Sequence, residues 1–225
     1  MNILIASATK IECQFLEKHF PAFIVDDNCI KFYINDTTIR LLITGVGIPA
    51  AIYQLSKQLV ENKYDLVINI GIAGSFHDFE IGEVFHVTSE IFADIGFENG
   101  DNFLTLFESG FLKKDSFPYS NGLLISDSSI NYKTLQTIKA VKGITVNTIT
   151  KNIEKINLWK RKFHPNVESM EGAAIFYVCL LEKVKFIQLR AISNKVGVRD
   201  KSQWNIPLAI ENMEKIVINL LNEIC

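Results

Sequence analysis

The sequence has almost no excess of charge. Its 225 residues carry 23 Lys and Arg against 25 Asp and Glu, a net charge of -2. The chain therefore lacks the basic surplus of a nucleic-acid-binding protein, and we expect no nucleic-acid partner. It also lacks a run of about 18 apolar residues, so we expect no transmembrane helix and no membrane partner.

The chain also lacks the basic segment that starts a secretory signal. Met1–Ala6 leads straight into polar residues and is typical of a first β-strand, which predicts a cytoplasmic protein. Cysteines and histidines do not follow a metal-binding or redox spacing. We therefore expect no metal and only reduced structural or surface thiols. The cysteines are Cys13, Cys29, Cys179 and Cys225.

What the sequence does contain is a regular alternation of short apolar runs with helical patterns. Hydrophobic residues make up 48% and charged residues 21%, as in a globular protein. The alternation predicts one α/β layered domain over residues 1–225, with a long loop or lid at Glu90–Tyr119. The predicted strands are Asn2–Ser7, Ile39–Thr44, Leu66–Ile70, Val84–Ser89, Leu123–Ser126, Ile144–Val146 and Phe186–Ile192. The predicted helices are Ile11–Phe20, Pro49–Glu61, Lys151–Phe163, Gly172–Glu182 and Pro207–Asn222.

Functional sites of open α/β folds lie at the carboxyl ends of strands, and two early segments fall there. In Ala6–Glu12 small residues end a strand, and Glu12 falls in the first turn of a helix. Glu12 is either a carboxylate that complements the helix dipole or a base that activates water. In Asn69–Ser75 glycines let a ligand approach the backbone, whose N–H groups can bind an oxygen. This segment is not a P-loop, because no Gly-Lys-Ser/Thr follows.

The third segment carries an acidic pair, Glu168 and Glu171, before an apolar helix. One carboxylate can cap the helix while the other faces water. Gly172, Ala173 and Ala174 instead make room beside Glu171 for a ligand. A carboxylate accepts two hydrogen bonds at once, which suits the vicinal diol of a ribose.

The fourth segment, Arg190–Asn194, ends a strand in polar groups, and a charged loop follows it to Trp204. Arg190 is either an ion-pair partner at the edge of the core or part of a site. Trp204 is more typical of a packed residue than of a functional one.

In this order the four segments resemble the nucleoside phosphorylase and nucleosidase family, over Ile3 to about Asn222. The Ser169–Ala174 and Arg190–Asn194 pieces are its most specific part. The resemblance implies a three-layer α/β/α sandwich with a mixed central sheet. It also implies a small-molecule nucleoside as substrate, no cofactor, and a homodimer or higher homo-oligomer.

The resemblance also implies roles for single residues. Glu12 resembles the family's water-activating acid and Glu171 its diol ligand. Further residues match supporting positions: Met170 under the ribose, Arg190 and Ser193 beside the water and the acid, Ser75 near the water, and Ile149 touching the base through its main chain. Thr148 stands where many relatives stack an aromatic ring on the purine.

Two differences from the family pattern indicate which reaction and which base to expect. Family phosphorylases carry an arginine after the first strand and another before the glycine turn, and neither Ala6–Thr9 nor Asn69–Gly71 contains one. A phosphate would instead meet Glu12, and like charges in a closed pocket repel each other. We therefore expect hydrolysis rather than phosphorolysis.

Asn194 stands where the adenine-specific nucleosidases have an Asp. An amide cannot protonate a leaving base, but it can donate a hydrogen bond to N7 or to a 6-oxo group. The loop from Asn194 to Pro207 resembles that of the futalosine-cleaving branch of the family. We therefore expect hydrolysis of a 5′-modified inosine that releases hypoxanthine, in the route from futalosine to menaquinone. We expect the carboxyphenyl end of that substrate to meet Arg199, Lys195 or Trp204.

Two alternatives remain open. One is an adenosine-type nucleosidase acting on methylthioadenosine or S-adenosylhomocysteine, which Asn194 disfavours. The other is a nucleoside-binding protein of the same fold without activity, which the presence of Glu12 and Glu171 disfavours.

Overall fold

The computed structural model describes residues 1–26, 29–100, 102–198 and 200–225. The strands are β1 Asn2–Ser7, β2 Ala22–Asp26, β3 Cys29–Ile34, β4 Thr37–Ile43, β5 Leu66–Ser75, β6 Val84–Glu90, β7 Gly96–Asn99, β8 Asn102–Thr105, β9 Leu124–Ile125, β10 Lys139–Thr145, β11 Val167–Ser169 and β12 Phe186–Lys195. The helices are α1 Phe15–His19, α2 Ile48–Glu61, α3 Lys133–Gln136, α4 Ile153–Phe163, α5 Gly172–Leu181 and α6 Ile206–Ile224, with 3₁₀ turns at Lys10–Glu12 and Lys201–Gln203.

Ten of the described strands form one mixed sheet. Its order is β11-β10-β6-β12-β5-β1-β4-β3-β2, and β9 pairs with β6. The central strands β1, β5 and β12 run parallel, whereas β6 runs antiparallel to β12. β11 also pairs with β5 and so curls the sheet back on itself. The expected mixed central sheet is confirmed.

Helices cover both faces of this sheet, so that successive residues of its central strands are nearly all buried. On β1, Ile3 and Ile5 pack into one cluster with α1 and α6, while Leu4 and Ala6 pack into another with α2 and α5. Burying each large side chain contributes about 1.5–3 kcal/mol. The expected three-layer α/β/α sandwich is confirmed.

Several elements differ from the prediction, among them β10, which begins at Lys139 rather than at Ile144. The single helix at Ile11–Phe20 is instead a 3₁₀ turn followed by α1, because the Glu12 carboxylate bonds back to Thr9 and tightens the turn. The loop at Glu90–Tyr119 contains the hairpin β7–β8. The hairpin β2–β3 is not among the predicted elements. No helix in the described part of the chain is long and apolar enough to cross a membrane.

Two of the strands that run further than predicted shape the site. β5 continues past Ile70 to Ser75, and β12 continues past Ile192 to Lys195. The glycines expected to form an open turn after Asn69 therefore lie in a paired strand, Gly71 opposite Arg190 and Gly74 opposite Asn194.

Candidate active site

The site begins where β1 stops and its neighbour β5 continues. β1 ends at Ser7, and the last pair between the two strands is Ala6 with Asn69. Ile72, three residues further along β5, has no β1 neighbour beside it. Its backbone N–H donates to Oε1 of Glu12 at 3.0 Å. Because β5 extends beyond the end of β1, its backbone holds the Glu12 carboxylate at the carboxyl edge of the sheet.

Glu12 is held by its own turn as well. Its Oε2 accepts from the backbone N–H of Thr9 at 3.0 Å and from Thr9 Oγ1 at 2.7 Å. Glu12 is buried, with 8% of its surface exposed. A carboxylate has about four acceptor positions, and these three donors leave about one for a ligand.

Glu171 is the N-terminal neighbour of α5 and lies across the site. Its Oε1 accepts from the backbone N–H of Gly47 at 2.7 Å. Burial raises the pKa of Glu171, and the nearby charge of Glu12 raises it further, whereas the Gly47 N–H and Arg190 act to lower it. Backbone donors such as the Gly47 N–H leave further acceptor positions of the Glu171 carboxylate for a ligand.

Ser193 and Asn194 both line the cavity although they are consecutive residues of a strand. Neighbouring residues of a regular strand point to opposite faces. Here β12 has an irregularity between Ile192 and Asn194, so Ser193 is an extra residue opposite β5 and the bulge re-aims the side chains. Ser193 Oγ donates to Asn194 Oδ1 at 2.8 Å, and Asn194 Nδ2 donates to the backbone oxygen of Lys195 at 2.9 Å. One amide N–H of Asn194 is left for a ligand.

Arg190 lies behind the cavity rather than in its lining. It is 2% exposed, and it donates to the backbone oxygen of Leu189 at 2.9 Å and to Asn69 Oδ1 at 2.5 Å. Burial lowers the pKa of Arg190, whereas the negative charges of Glu171, Glu90 and Glu12 act to raise it. Arg190 therefore balances the buried carboxylates from beneath.

These groups surround a cavity of about 410 Å³, a volume typical of a small-molecule site. Its mouth is apolar, with Ile11, Val46, Trp204 and Ile206 in the lining. None of the described lining residues is a lysine or an arginine. The described part of the cavity wall thus offers carboxylates, an amide and apolar side chains, but no cation for an oxyanion.

The structure brings together most of the residues that the sequence singled out. Six of the eight line the cavity: Glu12, Ile149, Met170, Glu171, Ser193 and Asn194. Arg190 stands behind it. Ser75 lies outside the lining, and its Oγ donates to the backbone oxygen of His77 at 2.7 Å and accepts from the His77 N–H at 3.1 Å. The contact of Ser75 near the water stays a prediction, and the Glu12 carboxylate is contacted from β5 by the backbone N–H of Ile72.

The structure gives a different result for each residue that was expected to meet the carboxyphenyl end of the substrate. Trp204 lines the mouth and donates from Nε1 to the backbone oxygen of Val198 at 2.8 Å. Lys195 forms an exposed ion pair with Asp78 at 2.5 Å. Arg199 lies outside the described residues.

Sequence reasoning missed the backbone donors that hold the two carboxylates. Thr9 with Glu12 has the Ser/Thr-x-x-Glu spacing of a capping box, so this contact had a recognisable signal. The contact between Gly47 and Glu171 had no recognisable signal, because the two residues lie 124 positions apart in the sequence. Glu168, the other acid of the pair, is buried and lines the same cavity.

The fold is a three-layer α/β sandwich, and its pocket has carboxylates and an amide at the carboxyl ends of parallel strands. Together these features place the protein among the α/β enzymes with a small-molecule pocket. The chain belongs to the phosphorylase superfamily, whose family model matches residues 2–222.

Individual proteins agree with this assignment. The chain is 29% identical to a futalosine hydrolase of Thermus thermophilus, over 98% of this chain and 95% of the relative. It is 28% identical to a 5′-methylthioadenosine/S-adenosylhomocysteine nucleosidase of Glaesserella parasuis, over 84% of this chain and 83% of the relative. A solved structure of a futalosine hydrolase of Helicobacter pylori superposes with a TM-score of 0.82 at 18% identity, over 99% of this chain and 98% of that one. This last likeness shows the fold.

Proposed function

We propose that this protein hydrolyses the N-glycosidic bond of futalosine, a 5′-modified inosine, and releases hypoxanthine. The observation that carries the proposal is Asn194, held at the cavity wall with one N–H left to donate. An amide donor accommodates the 6-oxo group or N7 of hypoxanthine, whereas an ionised aspartate would repel a 6-carbonyl. The resemblance to futalosine hydrolases over nearly the whole chain supports the same substrate.

The proposed reaction replaces the C1′–N9 bond by a C1′–O bond. Water in the remaining acceptor position of Glu12 attacks C1′ and gives its proton to that carboxylate. The electron pair of the broken bond goes to the base, where the Asn194 N–H stabilises the developing negative charge, and solvent supplies the proton of free hypoxanthine. Glu171 holds the two ribose hydroxyls and stabilises the positive charge of the sugar in the transition state.

Supporting roles are proposed for four other residues. Met170 and Ile149 line the cavity, where they contact the ribose and the base. Ser193 orients the Asn194 amide, to which it donates at 2.8 Å. Arg190 acts from beneath, by holding Asn69 and by balancing the carboxylates.

A nucleosidase for adenosine-type substrates is the second candidate, because relatives of that name are about as similar in sequence. The test is a chromatographic assay of base release from futalosine and from methylthioadenosine, with and without phosphate. Hypoxanthine release that does not depend on phosphate supports the proposal. Preferential adenine release would support the second candidate, phosphate dependence would refute hydrolysis, and tight nucleoside binding without base release would indicate a binding protein.

We also propose a homodimer or higher homo-oligomer in the cytoplasm, acting in menaquinone biosynthesis. The outer face of α2 supports self-association, because Tyr53 and Val60 are 65% and 78% exposed there. Light scattering coupled to size-exclusion chromatography tests this part, and a monomer at micromolar concentration would contradict it. Loss of menaquinone in a deletion strain would test the pathway.

A further inference from the structure

A buried carboxyl group outside the proposed chemistry lies directly beneath the proposed active site. Glu90, the last residue of β6, is 1% exposed. Its Oε1 accepts from Gln188 Nε2 at 2.7 Å, and its Oε2 accepts from Thr145 Oγ1 at 3.0 Å. A buried carboxyl without a structural ion pair costs stability. We therefore expect the buried Glu90 carboxyl to have a functional role that offsets this cost.

The Glu90 carboxyl touches the start of the helix that follows Glu171. A side chain at Gly172 or at Gly143 would overlap Oε1 of Glu90, so two glycines make room for this carboxyl. The chain of hydrogen bonds continues from Glu90 through Thr145 Oγ1, which accepts from the backbone N–H of Ala173 at 2.7 Å. The carboxyl thus contacts the first turn of α5, one residue from Glu171.

Glu90 also shares Arg190 with the two proposed catalytic carboxylates. The charge of Arg190 acts on Glu90, and Glu90, Glu171 and Glu12 all act on Arg190. The groups that face Glu90 from the neighbouring elements are Gln188 and Arg190 of β12, Thr145 of β10, and the start of α5 beside Glu171. Arg190 is the charged group that opposes the effect of burial on Glu90.

The surroundings of Glu90 fit both protonation states. Gln188 donates to the ionised form, while its own Oε1 is buried without a hydrogen-bond partner among the described residues. If the Gln188 amide turns over, this oxygen can instead accept a hydrogen bond from the O–H of neutral Glu90. Burial raises the pKa of Glu90 to about 7. Both forms are therefore accessible in the folded protein.

We propose that Glu90 is a positioning residue whose ionised form supports the cationic transition state, through Arg190 and through the first turn of α5. This inference rests on the proposed function. The positive charge of Arg190 lies beneath the sugar and opposes a cationic ribose. Ionised Glu90 offsets that charge. Catalysis therefore strengthens as Glu90 loses its proton.

The test compares three proteins, wild type, Glu90→Gln and Glu90→Asp, from pH 5.5 to 8.5. In the wild type we expect kcat for hypoxanthine release to rise about fivefold, which is about 1 kcal/mol, through a midpoint near pH 7. Glu90→Gln keeps the shape but loses the charge, so it should stay near the low-pH rate with no midpoint and a KM within about twofold. Glu90→Asp keeps the charge, so it should keep a midpoint at a lower kcat.

A substrate-free measurement keeps this inference separate from the proposed function. In protein labelled with ¹³C at the glutamate carboxyl carbons, one resonance should titrate near pH 7 and be missing in Glu90→Gln. The resonance of Glu171, assigned by its loss in Glu171→Gln, should show a second inflection at the same pH. A Glu171 resonance without it, or a kcat midpoint that survives in Glu90→Gln, would overturn the inference. If the wild type releases no hypoxanthine but the resonances are coupled, only the proposed function fails.

Discussion

Glu12→Gln should affect both stability and catalysis, and the structure gives the size of each effect. Both carboxylate oxygens of Glu12 accept a backbone N–H, from Ile72 at 3.0 Å and from Thr9 at 3.0 Å. A glutamine has only one oxygen, so in either orientation its NH₂ group faces one of these N–H donors. A buried donor left without an acceptor costs about 1–3 kcal/mol. The melting temperature should fall by about 2–4 °C for each kcal/mol lost.

The catalytic loss should be larger than the loss in stability. Without a carboxylate at this position the attacking water has no base, and kcat should fall about 10²–10⁴-fold. The assay is steady-state release of hypoxanthine at saturating futalosine, well below the melting temperature of the variant. Circular dichroism then gives the stability of the same sample.

Thr9→Val is the matched control, because it removes only the Thr9 Oγ1 donor to Glu12 and leaves the carboxylate in place. It should lower stability by about 1 kcal/mol and lower kcat far less than Glu12→Gln does. A Glu12→Gln variant that keeps kcat within tenfold of the wild type would refute the reasoning. The water would then be activated by another group.

Glu171→Gln should lower kcat by about 10²-fold in the same assay, and a near-normal rate would exclude its proposed role. Because burial raises the pKa of Glu171, kcat/KM should fall on the acid side at a pH above the usual glutamate range, and a flat profile down to pH 4.5 would contradict this. Asn194→Asp should lower hypoxanthine release at least about tenfold and raise adenine release from methylthioadenosine; unchanged preference would contradict the assignment of the base. Because the pKa of Glu90 is raised to about 7 when folded, its contribution to stability is full below the unfolded value near 4.5, and about 3 kcal/mol of it is lost as the pH rises through 7. Chemical denaturation of Glu90→Gln should lack this loss, and a parallel pH dependence in both proteins would contradict it.

The layers and most of the site residues could be predicted because their signals are local. The apolar strand Asn2–Ser7 matches β1, and the apolar helix after Glu171 matches α5 within one residue. Glu12 and Glu171 each follow a strand at a position where an acid needs a ligand or a donor. Such patterns need no knowledge of the neighbouring strands.

What could not be predicted depends on how far neighbouring strands extend. Gly71 and Gly74 predict a turn when they are considered alone, but pairing with β12 keeps them in β5. This extension places the backbone N–H of Ile72 against the Glu12 carboxylate. The bulge at Ser193 is equally invisible in the sequence, because it shows only in the register between two strands.

The hydrogen-bond capacity left at the site also favours water over phosphate as the nucleophile. Three donors already occupy Glu12, so about one acceptor position remains, enough for one proton of a water molecule. A phosphate dianion would bring several acceptors next to this carboxylate and to Glu171. The negative charge of the phosphate would need cations nearby. Arg190 lies behind the cavity wall, where it already donates to Asn69 and interacts with the charges of three carboxylates. A neutral nucleophile that donates a proton fits what these groups leave free, and an oxyanion does not.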